Sequence, residues 1–231
     1  MIVRKHTSQL FAILFSCIIL LSSSAFDSSL LAQTILVDET FDNPLTLPVG
    51  WFQQTLSNDG GWLSGTSNTL QSQYWGIATH GTFVATNDDA CDCNKSEDYL
   101  ITPPLNFTGL DNAILSFAGF FSGQAFEGST DRATIEYSID GGNSWIVLTE
   151  IAGNGNAENT VWENHNVNLS EILSYNDVLL AFHYDDDGGW MFGWAIDDVV
   201  IYEPVGLNAE MTLLTFPTNI SLGSAVNISG V

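Results

Sequence analysis

The sequence predicts an all-β protein, an antiparallel β-sandwich or barrel. Three observations predict it: short apolar runs alternate with period two, Gly, Asn and Asp break them at close intervals, and no window of about 12 residues combines helical periodicity with a cap. Many short strands with frequent turn signals fit sandwiches and barrels rather than parallel α/β folds.

The first 32 residues stand apart. "MIVRKHTSQ" supplies Arg4, Lys5 and His6, "LFAILFSCIILL" is apolar, and "SSSAF" is small and polar, the three parts of a secretory signal peptide over 1–32. Cleavage after Ala25 or after Ala32 fits equally. A membrane span needs about 20 apolar residues, so no insertion is expected once the signal is gone. Cys17 lies inside the apolar run with "IILL" still to come, which argues against lipid attachment there.

Residues 35–203 form the expected β domain. "ILVDETF" opens it, followed by "YWGIATH", "DYLITP" and "AILSFAGFF". "ATIEYSI" puts Ala133, Ile135, Tyr137 and Ile139 on one face and Thr134, Glu136 and Ser138 on the other. "SWIVLTEI" and "VWENHNVNL" come next, and the denser "VLLAFHY" and "WAIDDVVIY" read as central strands. Pro204 and Gly206 then break the pattern. Residues 204–231 are expected to be a linker and the truncated start of a second, immunoglobulin-like β domain, opening with "AEMTLLTFP".

Charge excludes whole classes of function. The formal net charge is −23, and losing Arg4 and Lys5 with the signal takes it to about −24 or −25, depending on Asp27. Lys95 and Arg132 are then the remaining Lys and Arg residues, so no basic patch for nucleic acid can be assembled. Disorder is the other reading of such acidity, but 45% hydrophobic and 12% aromatic residues supply a core. The sequence has no G-x-S-x-G and no H-E-x-x-H, and His80, His165 and His183 lack zinc-ligand spacing. An enzyme is not expected.

"SIDGGNSW", Ser138 to Trp145, resembles the Asp-box, a β-hairpin motif. Asp140 can bind turn amides, the glycines permit positive φ, and Trp145 packs beneath. A sialidase site would need several boxes and an arginine cluster, so this box is structural.

Four motifs in order carry a wider resemblance: "ETF" with "LPVGW", then "EDYLITPPLNFTGL", "YSIDGGNSW" and "GWAIDDVVI". The chain resembles the choice-of-anchor or cleaved-adhesin domain of bacterial surface proteins, repeated in gingipain haemagglutinin regions and similar in fold to MAM domains. The resemblance implies a jelly roll and a non-catalytic, secreted or cell-surface adhesion module. Its partner would be a host or environmental glycan or matrix protein. It also implies further domains of the same polypeptide, with a type IX sorting tag at the far C-terminus. An accessory domain of a secreted peptidase or glycoside hydrolase is the alternative. Structural Ca²⁺ is implied too: Glu39 matches the acidic position of the first strand and Asp197 and Asp198 the pair in the last, which a jelly roll brings together.

Two loops complete the candidate sites. "DDDGG" is a turn, with a solvated loop as one reading. The functional reading makes Asp185, Asp187, Trp190 and Trp194 ligand-binding, with Phe192 beside them and aromatic rings at a rim for stacking on sugars. "NDDACDCNKSED", Asn87 to Asp98, holds five acidic residues. Counted from Asp92, it fails as an EF-hand, with Glu97 at the sixth position and Pro103 at the twelfth. It is expected to be an acidic cap at the sandwich edge, holding a second Ca²⁺ with Asp88 or Asp89 and Asp98. In an exported chain Cys91 and Cys93 either pair in a small C-x-C ring or remain free.

Overall fold

The segment "GWAIDDVVIYE", Gly193–Glu203, is apolar enough to be covered on both faces, as a central strand must be. The computed structural model describes residues 33–205. The expected signal segment with Cys17, and residues 206–231 of the expected second domain, lie outside the described residues.

The strands in order are β1 (Thr34–Glu39), β2 (Phe52–Gln54), β3 (Leu63–Thr66), β4 (Thr82–Asn87), β5 (Asp98–Ile101), β6 (Ile114–Phe121), β7 (Ala125–Phe126), β8 (Ser129–Thr130), β9 (Arg132–Ser138), β10 (Ile146–Glu150), β11 (Glu163–Asn168), β12 (Leu179–Asp185) and β13 (Gly193–Glu203). Two one-turn helices, α1 (Ser67–Leu70) and α2 (Asp88–Cys91), interrupt them. One sheet has the order β11-β6-β13-β4-β3, with β1 also on β13, and the facing sheet is β10-β9-β12-β5-β2. Every pairing is antiparallel, and the arrangement is the expected sandwich of jelly-roll type.

β13 organises its sheet. Residues 193–196 pair with β4 and residues 199–203 with β1, while β6 runs along the other edge. First and last strands are therefore neighbours. Between the sheets lies a continuous apolar core around Trp62, Phe117, Phe182 and Trp194.

The second sheet departs from simple alternation. Ala133, Ile135 and Tyr137 face the core as expected, yet Thr134, Glu136 and Ser138 are also buried, at 4%, 5% and 1% exposure. A second apolar layer around Tyr99, Ile101, Leu179 and Ala181, with Trp145 packed on it, covers the outer face. Ile139 is the opposite case: expected on the core face, it lies beyond the end of β9 and is exposed.

"YWGIATH" is a correction, since residues 74–80 form no strand. Trp75 is fully buried and packs on Phe120, ring centroids 6.0 Å apart, so the segment is a plug over the outside of the first sheet. The backbone at Gly193 must admit that ring; a Cβ there would run into the Trp75 ring and the Thr86 carbonyl.

Candidate functional site

The strand junction forms because β13 bulges. Its register with β6 shifts between Asp197 and Val200, and Asp198 takes φ 50°. A bulge re-aims neighbouring side chains. Here Asp197 turns inward, 4% exposed, while Asp198 stays outside. Both carboxylates meet His80, whose Nε2 lies 3.3 Å from Asp198 Oδ2 and 3.8 Å from Asp197 Oδ2. Glu39 sits opposite Val199 and accepts the Phe41 N–H at 2.9 Å. Burial first, then the Asp198, Asp42 and Glu39 charges, push the Asp197 carboxyl up to about 7. Of the expected trio, Asp197 and Asp198 come together with His80, while Glu39 and Asp42 lie near enough for their charges to act on Asp197. Strand periodicity carries no signal for His80 or Asp42, because both lie in loops. His80 is held by stacking on Trp162, 4.3 Å between centroids.

A groove lies elsewhere, where the loop after β12 faces α2. Two adjoining cavities of about 420 and 630 Å³ share Tyr74, Asp89 and Trp190 as lining. Trp190 is 73% exposed and Tyr74 69%. Phe126, Gln124, Glu127 and Glu158 line the larger cavity. Trp190 is where the rim reading put it; Tyr74, Phe126 and Gln124 went unforeseen, two of them lying in segments without clear periodicity. Trp194 is a correction: it has 0% exposure and packs in the core against Trp62 and Phe182, so no ligand can stack on it. Four residues after Trp190, it lies inside β13 rather than in the loop. Asp185 and Asp187 are not among the residues lining these cavities; Asp185 Oδ1 accepts the Asp187 N–H at 2.9 Å, and Asp187 Oδ2 accepts the Thr130 N–H at 3.3 Å, so they build the turn.

The loop from Asn87 to Asp98 is anchored more deeply than a cap would be. Lys95 has 0% exposure, and its Nζ donates to both Asp59 oxygens at 3.0 Å and to Asp98 Oδ2 at 3.1 Å. Asp98, also fully buried, accepts further bonds from Thr86 Oγ1 at 2.6 Å, Ser57 Oγ at 3.1 Å and Thr55 Oγ1. Its oxygens are committed to those partners, so the grouping of Asp98 with Asp88 or Asp89 around one cation is not formed. Asp89 instead accepts the Tyr74 N–H at 3.1 Å. Cys91 and Cys93 are joined as a disulfide, with Cα atoms 5.1 Å apart.

On the outer face of the second sheet, Trp145, Tyr99 and His183 form a stack, with centroids 5.5 Å and 3.9 Å apart. Trp145 follows the turn after β9, where Asp140 accepts from Ser138 Oγ at 2.7 Å, Ser144 Oγ at 2.7 Å and Ser144 N–H at 3.0 Å. His183 donates from Nε2 to the Ser96 carbonyl at 3.2 Å and from Nδ1 to Glu136 at 2.8 Å. Both acceptors are served when the ring is the imidazolium. Burial pulls its pKa down, but the Glu136 bond and charge outweigh this and raise it. Burial likewise raises Glu136, while the His183 and Thr134 bonds prevail and lower it. A raised histidine stabilises fully below its unfolded value of 6.5 and loses this as pH rises through the folded value. A lowered glutamate stabilises fully above its unfolded value of 4.5 and loses this as pH falls. The pair therefore contributes most between those two values. Thermal melts of wild type and His183→Gln should differ most between pH 4.5 and 6.5, and the difference should shrink as pH rises through the folded value of the histidine; a pH-independent difference would refute an ionised pair.

No family model matches the chain. It aligns with Bacillopeptidase F of Bacillus subtilis (strain 168) at 25% identity over 165 residues, which cover 68% of this chain and 11% of that protein. The chain thus spans about a tenth of the length of the curated relative it matches. Among solved structures, the K3 cleaved adhesin domain of Lys-gingipain from Porphyromonas gingivalis W83 superimposes with a TM-score of 0.52 at 20% identity, covering 74% of this chain and 99% of that domain. The K1 domain of the same protein matches with a TM-score of 0.49, again at 20% identity, covering 71% and 96%. The cleaved-adhesin fold expected from the four motifs is the fold observed.

Proposed function

We propose that this chain, sharing the fold of a Lys-gingipain adhesin domain, is a non-catalytic glycan-binding module of a secreted or cell-surface protein, with Ca²⁺ at its strand junction. The observation that carries the reading is the groove at Tyr74 and Trp190. Two large rings left mostly exposed, with Phe126 beside them and Asp89, Gln124, Glu127 and Glu158 between, offer apolar faces for sugar C–H surfaces and oxygens for sugar hydroxyls. Exposed aromatics clustered within a polar rim mark binding sites more often than chance exposure. The carboxylates favour neutral or amino sugars over sulfated or uronic ones.

At the strand junction Glu39, Asp197 and Asp198, joined by Asp42, would supply most of an oxygen shell, the donor set of a hard cation. The cation would offset the mutual repulsion of these groups and tie the first strand to the last.

Binding is tested on a glycan array, followed by titration of the best neutral or amino-sugar hit. Trp190→Ala and Tyr74→Ala should each weaken it by roughly 5- to 150-fold, at ~1–3 kcal/mol per stacked ring. Equal binding by the variants would overturn the groove assignment. Turnover of a polysaccharide, lost in Glu127→Gln or Glu158→Gln, would overturn the non-catalytic reading. The Bacillopeptidase F alignment supports a second, compatible reading, in which the module accompanies a peptidase.

A further inference from the structure

The groove at Tyr74 and Trp190 has acidic walls. Its smaller cavity is lined by Asp88, Asp89, Asp92 and Asp186, and the larger adds Glu127 and Glu158. No Lys, Arg or His is among the residues lining either cavity. The Lys and Arg side chains of the described residues are engaged elsewhere: Lys95 Nζ with Asp59 and Asp98, and Arg132 with Glu150. The negative field in the opening is therefore not cancelled from within the protein.

Rings and carboxylates are presented together. Glu127 (φ 50°) and Gly128 (φ 99°) form the two-residue turn between β7 and β8, where Phe126 pairs with Ser129, so Phe126 and Glu127 are neighbours at one hairpin tip. Glu158 lies in the 3-10 turn Ala157–Asn159. That turn is pinned by the Ala157 N–H donating to Gln124 Oε1 at 2.8 Å and the Glu158 N–H donating to Asn156 Oδ1 at 3.1 Å. Asp89 Oδ2 accepts the Tyr74 N–H, which ties that carboxylate to the segment carrying the exposed Tyr74 ring. The Met191 N–H donates to Asp88 Oδ2 at 2.6 Å and fixes the backbone beside Trp190. None of Asp89, Glu127 and Glu158 enters an ion pair among the described residues.

A neutral sugar uses only part of this surface. Its C–H face covers a ring, but its approach strips water from the carboxylates without offering them a charge. A sugar with a free, protonated amine meets both features. Trp and Tyr faces attract a cation within about 6 Å of the ring centroid, and exposed carboxylates attract it over about a Debye length, ~10 Å at 0.1 M salt. An N-acetyl group removes that charge. We propose that the groove selects sugars carrying a free, protonated amine, the glucosamine units of a de-acetylated polysaccharide, over their N-acetylated and neutral counterparts. The two adjoining cavities, about 420 and 630 Å³, suit a stretch of polymer rather than a single unit, so more than one ammonium group faces the acidic walls at once. This specificity rests on the groove being the glycan site.

Calorimetric titrations of the whole chain compare oligomers of equal length built from glucosamine, N-acetylglucosamine and glucose, with an oligolysine as a fourth ligand. The glucosamine oligomer should bind roughly tenfold more tightly than the N-acetylated one at low salt. That ratio should shrink as added salt screens exposed charges. Glu127→Gln combined with Glu158→Gln, both at exposed positions, should move the ratio toward one while the melting temperature stays close to that of wild type. An amine preference unchanged by salt and by the double substitution overturns the proposal. Equal affinity for the three sugars, lost in Trp190→Ala, also overturns it and leaves the groove reading standing. Oligolysine binding as tightly as the glucosamine oligomer means that the groove reads charge alone, and the sugar selection is wrong. Binding of none of the four overturns the groove reading as well.

Discussion

Lys95→Met should cost about 3–5 kcal/mol of folding stability, measured as the shift of the urea midpoint at constant slope. The magnitude comes from what remains rather than from what is removed. Lys95 and Asp98 are both fully buried, and the ammonium is 3.1 Å from Asp98 and 3.0 Å from Asp59. Methionine fills the stem's volume, so packing is preserved, but Asp98 is left as a buried anion in a chain of net charge −23. The hydroxyls of Thr55, Ser57 and Thr86 soften that penalty without neutralising it. Lys95→Met with Asp98→Asn should recover much of the loss, because a buried pair replaced as a unit is often nearly neutral. The coupling between the two substitutions should exceed about 1 kcal/mol. A single variant within ~0.5 kcal/mol of wild type would mean the pair is solvated in solution and anchors nothing.

This pair also shows where sequence reading stops. Asp98 and Lys95 sit in an acidic stretch that reads locally as surface, and nothing within it reveals that Asp59, far away in sequence, closes the cage. Long strands were legible because their burial is periodic or continuous: β6, β9, β12 and β13 all announce themselves. β4, "TFVATN", did not, because a central strand covered on both faces shows no alternation and its Thr and Asn residues dilute the apolar run. "YWGIATH" misled for the complementary reason, since Trp75 and Ile77 are buried as plugs without a ladder. At the strand junction the sequence supplied the carboxylates that lie on strands and missed Asp42 and His80, which reach the place from loops. Of the aromatic lining of the groove only Trp190 and Phe192 were legible, because a groove between loops is set by tertiary approach rather than by spacing.

Trp190 and Trp194 are four residues apart and should behave as opposites. Trp194→Ala should lower stability by roughly 3–5 kcal/mol, the cost of emptying a large aromatic site from a packed core. Its ring has no exposure and meets Trp62, Phe182, Phe117 and Phe121 at 5.6, 5.7, 6.2 and 6.2 Å between centroids, so neighbours on both sheets border the space left. Trp194→Phe should cost distinctly less. Some ring area is lost, but so is the indole N–H, which is buried with no acceptor among the described residues. Trp190→Ala should change stability by no more than about 0.5 kcal/mol, as expected for an exposed side chain. Urea unfolding of the three variants gives the order directly. If Trp190→Ala destabilises as much as Trp194→Ala, the exposed ring is a structural support of the α2 region, and the groove loses its main reason to be a binding site. If Trp194→Ala is nearly neutral, the core around β13 is not the rigid platform that the strand-junction carboxylates and the groove both rest on.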